Sequence, residues 1–383
     1  MQAGRAALYP LYHFLYWGAA GLWWPFVFPL LTSRGVSLGH LGLLVAVWPL
    51  CALLAQPAAG WLCDRTGRAR LVLCLLTLGA SAALPLLALA RGLRGELPAV
   101  AAFALLNAPT APLGDALTIA HLRHAGGEYG RVRLWGSLSF ALLGLAAGWA
   151  LAHGAIGLRG LFVLAGALTR PSALLPLRFP TESAGVGRPV ARLRDLAGTR
   201  PLLLFLGLAA VALLPMSAHS TYFSLDLTRL GGTAAAQGAG WALPALAEVP
   251  FFLWGAAAAR RLGLARTLQV AFACQAVSLG LIALAHGPAL AVGGALVQGP
   301  AFALFYGAAV PAVDRLAPPG LRASGQALLW ATCFGAGSIA ANLLGGWVAS
   351  AAGTAGLYRA LALFALASAA AFALLLPREV RDS

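Results

Sequence analysis

Of the 383 residues, 60% are hydrophobic and only 10% are charged, all 26 basic residues are Arg, and the formal net charge is +15. So few charges exclude an ordinary soluble chain of two or three globular domains and make a bilayer the solvent. Nor does the basic excess describe a nucleic-acid binder, because the Arg residues are scattered between apolar runs rather than gathered on one face.

Twelve apolar runs follow one another, each close to the roughly 20 residues that cross a hydrocarbon core. In chain order they cover residues 8–31, 38–63, 71–90, 97–120, 134–153, 158–177, 201–225, 234–258, 267–285, 289–313, 326–350 and 355–376. The first is too long for a signal-peptide core and is expected to be a retained helix. The links between the runs alternate in charge. One set, with both termini, holds 19 Arg residues and the other holds 6, with Arg170 inside the sixth run. Cytoplasmic links carry the Arg excess, so this bias places both termini in the cytoplasm of a multi-pass plasma (inner) membrane protein.

The longest polar stretch, Arg178 to Arg200, divides the runs six and six. The expected organisation is an N-terminal six-helix bundle over residues 1–178, a cytoplasmic linker over 179–200 and a C-terminal six-helix bundle over 201–383. The halves also echo each other: Gly148-Trp149 in the fifth run is answered by Gly346-Trp347 in the eleventh. Duplicated six-helix halves are an architecture of secondary transporters, with the substrate held near the midplane between them. The five cysteines lie in or beside apolar runs without a CxxC pair, so neither a metal nor a cofactor is expected.

After the second run comes Gly60-Trp-Leu-Cys-Asp64-Arg65-Thr-Gly67-Arg68-Ala-Arg70. This resembles the loop signature of the major facilitator superfamily, G-x-L-x-D-R-x-G-R-x-R. The resemblance implies an all-α membrane protein with twelve transmembrane helices in two six-helix bundles around a central cavity. It gives Gly60, Asp64, Arg65, Gly67 and Arg68 a gating role rather than a substrate role. A second stretch, Glu128-Tyr-Gly-Arg131-Val-Arg133-Leu-Trp-Gly-Ser137-Leu-Ser-Phe140, resembles a block of the phenylpropionate-permease-like transporters. More distantly it resembles the fifth-helix entry of the lactose-permease family, which would make Arg133 a ligand-binding arginine, Phe140 a stacking ring and Asp115 a substrate carboxylate. The lactose-type proton site does not carry over: Gln298, Phe302, Phe305 and Tyr306 occupy the tenth run, and the ninth contains no Arg.

A charge inside a membrane span is costly and marks function by default. Asp115, near the end of the fourth run, is expected to face the cavity and pair with Arg131 or Arg133. Glu248 lies about fourteen residues into the eighth run and shares a helical face with Trp241, Ala245 and Phe252. Far in sequence from any cation, it is the expected proton-coupling group. His13 and Tyr16 of the first run, and His219 and Tyr222 of the seventh, complete the expected substrate-binding set. Asn107, Gln298 and Asn342 are expected to be interhelical hydrogen-bond glue.

The function expected is secondary active transport of a small organic solute (an aromatic acid, nucleoside or sugar) by alternating access with proton symport. The alternatives are an uncoupled facilitator or exporter on the same fold, or a non-transporting sensor. No HExxH, GxSxG or Walker loop is present, so no enzyme is expected. The expected partners are the solute, protons and membrane lipids, around a monomer.

Overall fold

The structure, a computed structural model, describes residues 7–34, 38–180, 196 and 198–375. Most of the expected linker, residues 181–195 and 197, lies outside the described residues, as do Arg5, Arg378 and Arg381 of the chain ends. Among the described residues, eight helical stretches are long and apolar enough to cross a membrane. The helices follow the twelve runs in order.

α1 is Leu8–Trp23, continued past a tight turn at Trp24–Phe26 by Val27–Thr32. α2 is Leu38–Thr66 and α3 is Ala69–Leu89. α4 consists of Gly92–Asn107 and Thr110–Ala125. α5 is Tyr129–Ala152, and α6 is Leu158–Leu174. α7 consists of Arg200–Ala212 and Leu214–Arg229. The continuous stretch Ala234–Ala283 is two helices, α8 and α9, folded at Gly263 with φ +76°. α10 consists of Pro288–Leu296 and Gln298–Leu316. α11 starts at Arg322–Trp330, passes through a π-helical turn at Ala331–Ala336 and enters Gly337–Leu375, which folds at Gly353 to give α12.

Two interfaces between the six-helix halves place the site. α5 crosses α8 along its length because small residues let the backbones approach. A Cβ on Gly130 would collide with the Phe252 carbonyl at one end of this crossing. Gly148 and Gly238 touch at the other, where a Cβ on Gly148 would lie 3.2 Å from the Gly238 Cα. α2 meets α11 in the same manner, with Gly60 against Ala327 and Gly335 against the Leu53 backbone.

Three helices are interrupted within their spans. α4 breaks at Asn107–Thr110, α7 at Leu213 and α10 at Val297, each beside a proline: Pro109, Pro215 and Pro300. A proline removes a backbone donor and clashes with the preceding turn. Pro112 likewise leaves the Ala108 carbonyl without its helical donor, and Gln56 Nε2 of α2 donates to it at 3.0 Å, while Thr110 Oγ1 donates to the Asn107 carbonyl at 2.6 Å. Discontinuous helices of this kind surround substrate sites in transporters.

Candidate substrate cavity and gate

α5 begins at Tyr129, five residues before the apolar run suggests, because a helix does not stop where the hydrocarbon does. Arg133 is therefore an intrahelical residue with only 4% exposure, and not a loop arginine. Its guanidinium lies 4.1 Å from the centre of the Trp17 ring, with Phe252 at 5.7 Å and Phe302 at 5.9 Å. A desolvated cation over aromatic faces gains about 2 kcal/mol or more. The contact needs Gly136: a Cβ there would stand 2.6 Å from Trp17 Cδ1 and 2.8 Å from Arg133 Nη1.

One turn on, Ser137 links this cation to the opposite half. Arg133 Nη1 donates to Ser137 Oγ at 3.5 Å, and Ser137 Oγ donates to Glu248 Oε2 at 2.5 Å. Glu248 is thus not remote from cations, as its own span suggests. Arg133 reaches it from α5 through one hydroxyl. Gly299 of α10 abuts the Pro244 carbonyl and the Glu248 backbone, bringing Gln298 beside this pair of helices.

A cavity of about 340 Å³ rises from Arg133, Ser137 and Glu248, within the range of small-molecule sites. Trp17, Trp24, Trp48, Trp241, Phe140 and Phe302 form much of its wall. Of the expected substrate residues, Arg133, Phe140, Tyr16 and His219 reach it, with Tyr16 bonded to Thr110 Oγ1 at 2.7 Å.

The remaining expected contacts are elsewhere. Asp115 is 1% exposed and lies off the cavity wall, and its partner is the Tyr129 hydroxyl at 2.8 Å rather than either arginine. The early start of α5 explains this, because Tyr129 is the helical residue that faces Asp115. Arg131 turns to solvent and pairs with Glu128 at 3.1 Å. His13 is spent on Thr118 at 3.0 Å, and Tyr222 donates to the Asn342 carbonyl at 3.0 Å. Neither lines the cavity.

Trp17 and Gln56 do not stand out in the sequence, Ser137 appears there only within its motif, and Asn107, Gln298 and Asn342 are expected as interhelical glue. All three of these amides line the cavity. Gln298 Oε1 and Nε2 and Asn342 Oδ1 are buried without a hydrogen-bond partner. The Gln298-Gly299-Pro300 break was the signal that could have found the first of them.

Below the cavity the halves are latched. Asp64 Oδ2 accepts the Ser324 N–H at 2.8 Å and the Ser324 hydroxyl at 2.5 Å. Arg260 donates to Glu128 at 2.8 Å, and Arg123 pairs with Asp314 at 3.5 Å. Glu128, in the link before α5, is held below the usual carboxylate range chiefly by the Arg260 hydrogen bond and then by Arg131. Gly67 makes the turn out of α2 with φ +66°, while Arg65 and Arg68 are exposed. The arginine of the motif that ties structure together is Arg70, which donates to the Phe179 carbonyl at 2.7 Å.

A two-lobed helical membrane fold with a central cavity and a latch at one end defines a membrane transporter of small solutes, not an enzyme. The chain belongs to the MFS_1 like family, whose model matches residues 7–360. It is 30% identical over 352 residues to the maltose permease of Geobacillus stearothermophilus, covering 90% of this chain and 88% of that protein. The nucleoside transporter NupG has the same fold, with a TM-score of 0.68 at 17% identity over 96% of this chain and 98% of that one. So does the human organic anion transporter MFSD10, with a TM-score of 0.70 at 17% identity over 96% and 98%. One fold thus serves nucleosides and organic anions, and it does not choose a substrate.

Proposed function

We propose that the protein is a secondary transporter that moves a small organic solute by alternating access and couples the movement to a proton at Glu248. The observation that carries this is the Arg133–Ser137–Glu248 chain, which joins the two halves at the cavity floor. As a carboxylate, Glu248 accepts the Ser137 hydroxyl and faces a nearby cation. Protonation removes the charge that both partners favour, so loading a proton and loosening the α5–α8 contact become one event. Arg133 and Phe140 hold the solute from the first half, seven residues and about two helical turns apart on one face.

The latched end is the cytoplasmic one, following the Arg bias of the links, and residues 1–178 and 201–383 are the bodies that rock. In this state the cavity faces outward. Maltose permease and NupG, by their names, place sugars and nucleosides among the candidate solutes. The test is uptake into proteoliposomes with an imposed pH gradient, inside alkaline. Accumulation above the equilibrium level supports symport. Equilibration alone, at every gradient, would leave an uncoupled facilitator.

A further inference from the structure

Among the described residues, the charged side chains lining the cavity are Arg133 and Glu248, and they already compensate each other through Ser137. While Glu248 is ionised, a solute carrying a net charge therefore enters a site with no spare counter-ion. An uncharged solute enters without that cost, because a buried charge is tolerated only when paired. The same cavity holds polar atoms that nothing in the protein satisfies. Gln298 is 6% exposed and both of its amide atoms are without partners. Asn342 Oδ1 and Gln56 Oε1, on helices of opposite halves, are also unpartnered.

A carboxamide offers a donor and an acceptor side by side, and a hydroxyl is the small group that can answer either. The remaining wall is indole and phenyl faces, which pack against the flat or C–H face of a ring. We infer that the solute is an uncharged ring bearing adjacent hydroxyls, and that Gln298 and Asn342 are the residues that read those hydroxyls. This rests on the cavity being the transport site, as proposed above, but it does not rest on proton coupling. Sugars and nucleosides share this chemistry, whereas an aromatic acid lacks it.

The test is equilibrium binding to the full-length purified protein, read by quenching of cavity tryptophan fluorescence. The panel is glucose, maltose, uridine, their deoxy analogues, phenylpropionate and dialanine. At least one of the three hydroxylated ligands should bind, and which one does separates the sugar from the nucleoside source. Its deoxy analogue should bind at least about 10-fold more weakly, since a buried amide is then left unpaired. Gln298→Ala and Asn342→Ala should each weaken the hydroxylated ligand and shrink its advantage over the deoxy form. The ligand comparison on the unmodified protein, and Asn342→Ala at a half-buried position, keep the test decisive if Gln298→Ala fails to fold. Binding of phenylpropionate or dialanine in place of the hydroxylated ligands would overturn the inference. So would no binding across the panel, or variants that keep the parental preference. Binding is measured without a gradient, so loss of coupling alone would sink the symport proposal and leave this inference standing.

Discussion

Asp64 caps a helix that belongs to the other half. Its Oδ2 takes the Ser324 N–H and hydroxyl in the first turn of α11, whose own N-cap, Leu321, supplies no side-chain acceptor. An N-cap is worth about 0.5–2 kcal/mol, and an acidic group there also meets the positive end of the helix dipole. Here that energy exists only while the halves are latched. Asp64→Ala should shift the population toward opening at the motif end and slow transport, with solute affinity changed by no more than a few-fold. Cysteine accessibility beside Ser324 checks the first effect. A large loss of affinity with unchanged accessibility would contradict it.

Gly60 works at the same crossing by absence. A Cβ there would lie 2.8 Å from the Ala327 Cβ and 3.1 Å from the Ala323 carbonyl oxygen. Gly60→Ala should overpack the latched state by about 1–3 kcal/mol. Thermal unfolding of the latched protein should fall accordingly, and accessibility should change in the direction of Asp64→Ala.

Arg133 combines a cation contact over the Trp17 ring, 4.1 Å from its centre, with a directed bond to Ser137. Lysine keeps the charge and loses the plane, so Arg133→Lys should weaken solute binding by about 10-fold or more. Gly136→Ala should do the same while keeping the arginine in the sequence, because the new methyl would stand 2.6 Å from Trp17 Cδ1 and 2.8 Å from Arg133 Nη1 and force the two apart. Phe140→Tyr should be tolerated better than Phe140→Ala. Parental affinity in both Arg133→Lys and Gly136→Ala would remove Arg133 from the site.

Much of the fold was legible because a bilayer demands uninterrupted apolar length. The α8–α9 and α11–α12 folds fell where the polar links were expected, near Gly263 and Gly353. The site was legible in part. Arg133, Phe140 and Glu248 stood out by charge or motif, and the structure gathers them on one cavity. The Asp115 pairing was not legible, because it depends on where α5 starts, and hydropathy registers the apolar run rather than the helix. Nor could the run containing Glu248 show a cation that arrives from α5. Trp17 carries no sequence signal of its own, being a tryptophan among many apolar residues, and Ser137 stands in the motif without showing its role, because its partner lies 111 residues away.

The Glu128–Arg260 latch has its own pH dependence. With its carboxyl held below the ordinary range, its contribution is complete above the unreacted Glu value of about 4.3 and is lost only as pH falls through the depressed one. Between about pH 7.5 and about pH 5.5 the latch should therefore be constant. Glu128→Gln should loosen the motif end equally at both pH values, read as a distance between spin labels across the latch. A loosening of the unmodified protein within that window that disappears in Glu128→Gln would assign the pH response to this latch.

The most direct measurement is accumulation and exchange by Glu248→Gln in the same proteoliposomes. Glutamine keeps the shape and can still accept the Ser137 hydroxyl, but it cannot exchange a proton. Accumulation driven by an inside-alkaline gradient should disappear, while exchange of labelled for unlabelled solute continues near the parental rate. Glu248→Gln that still concentrates solute against its gradient would contradict the account.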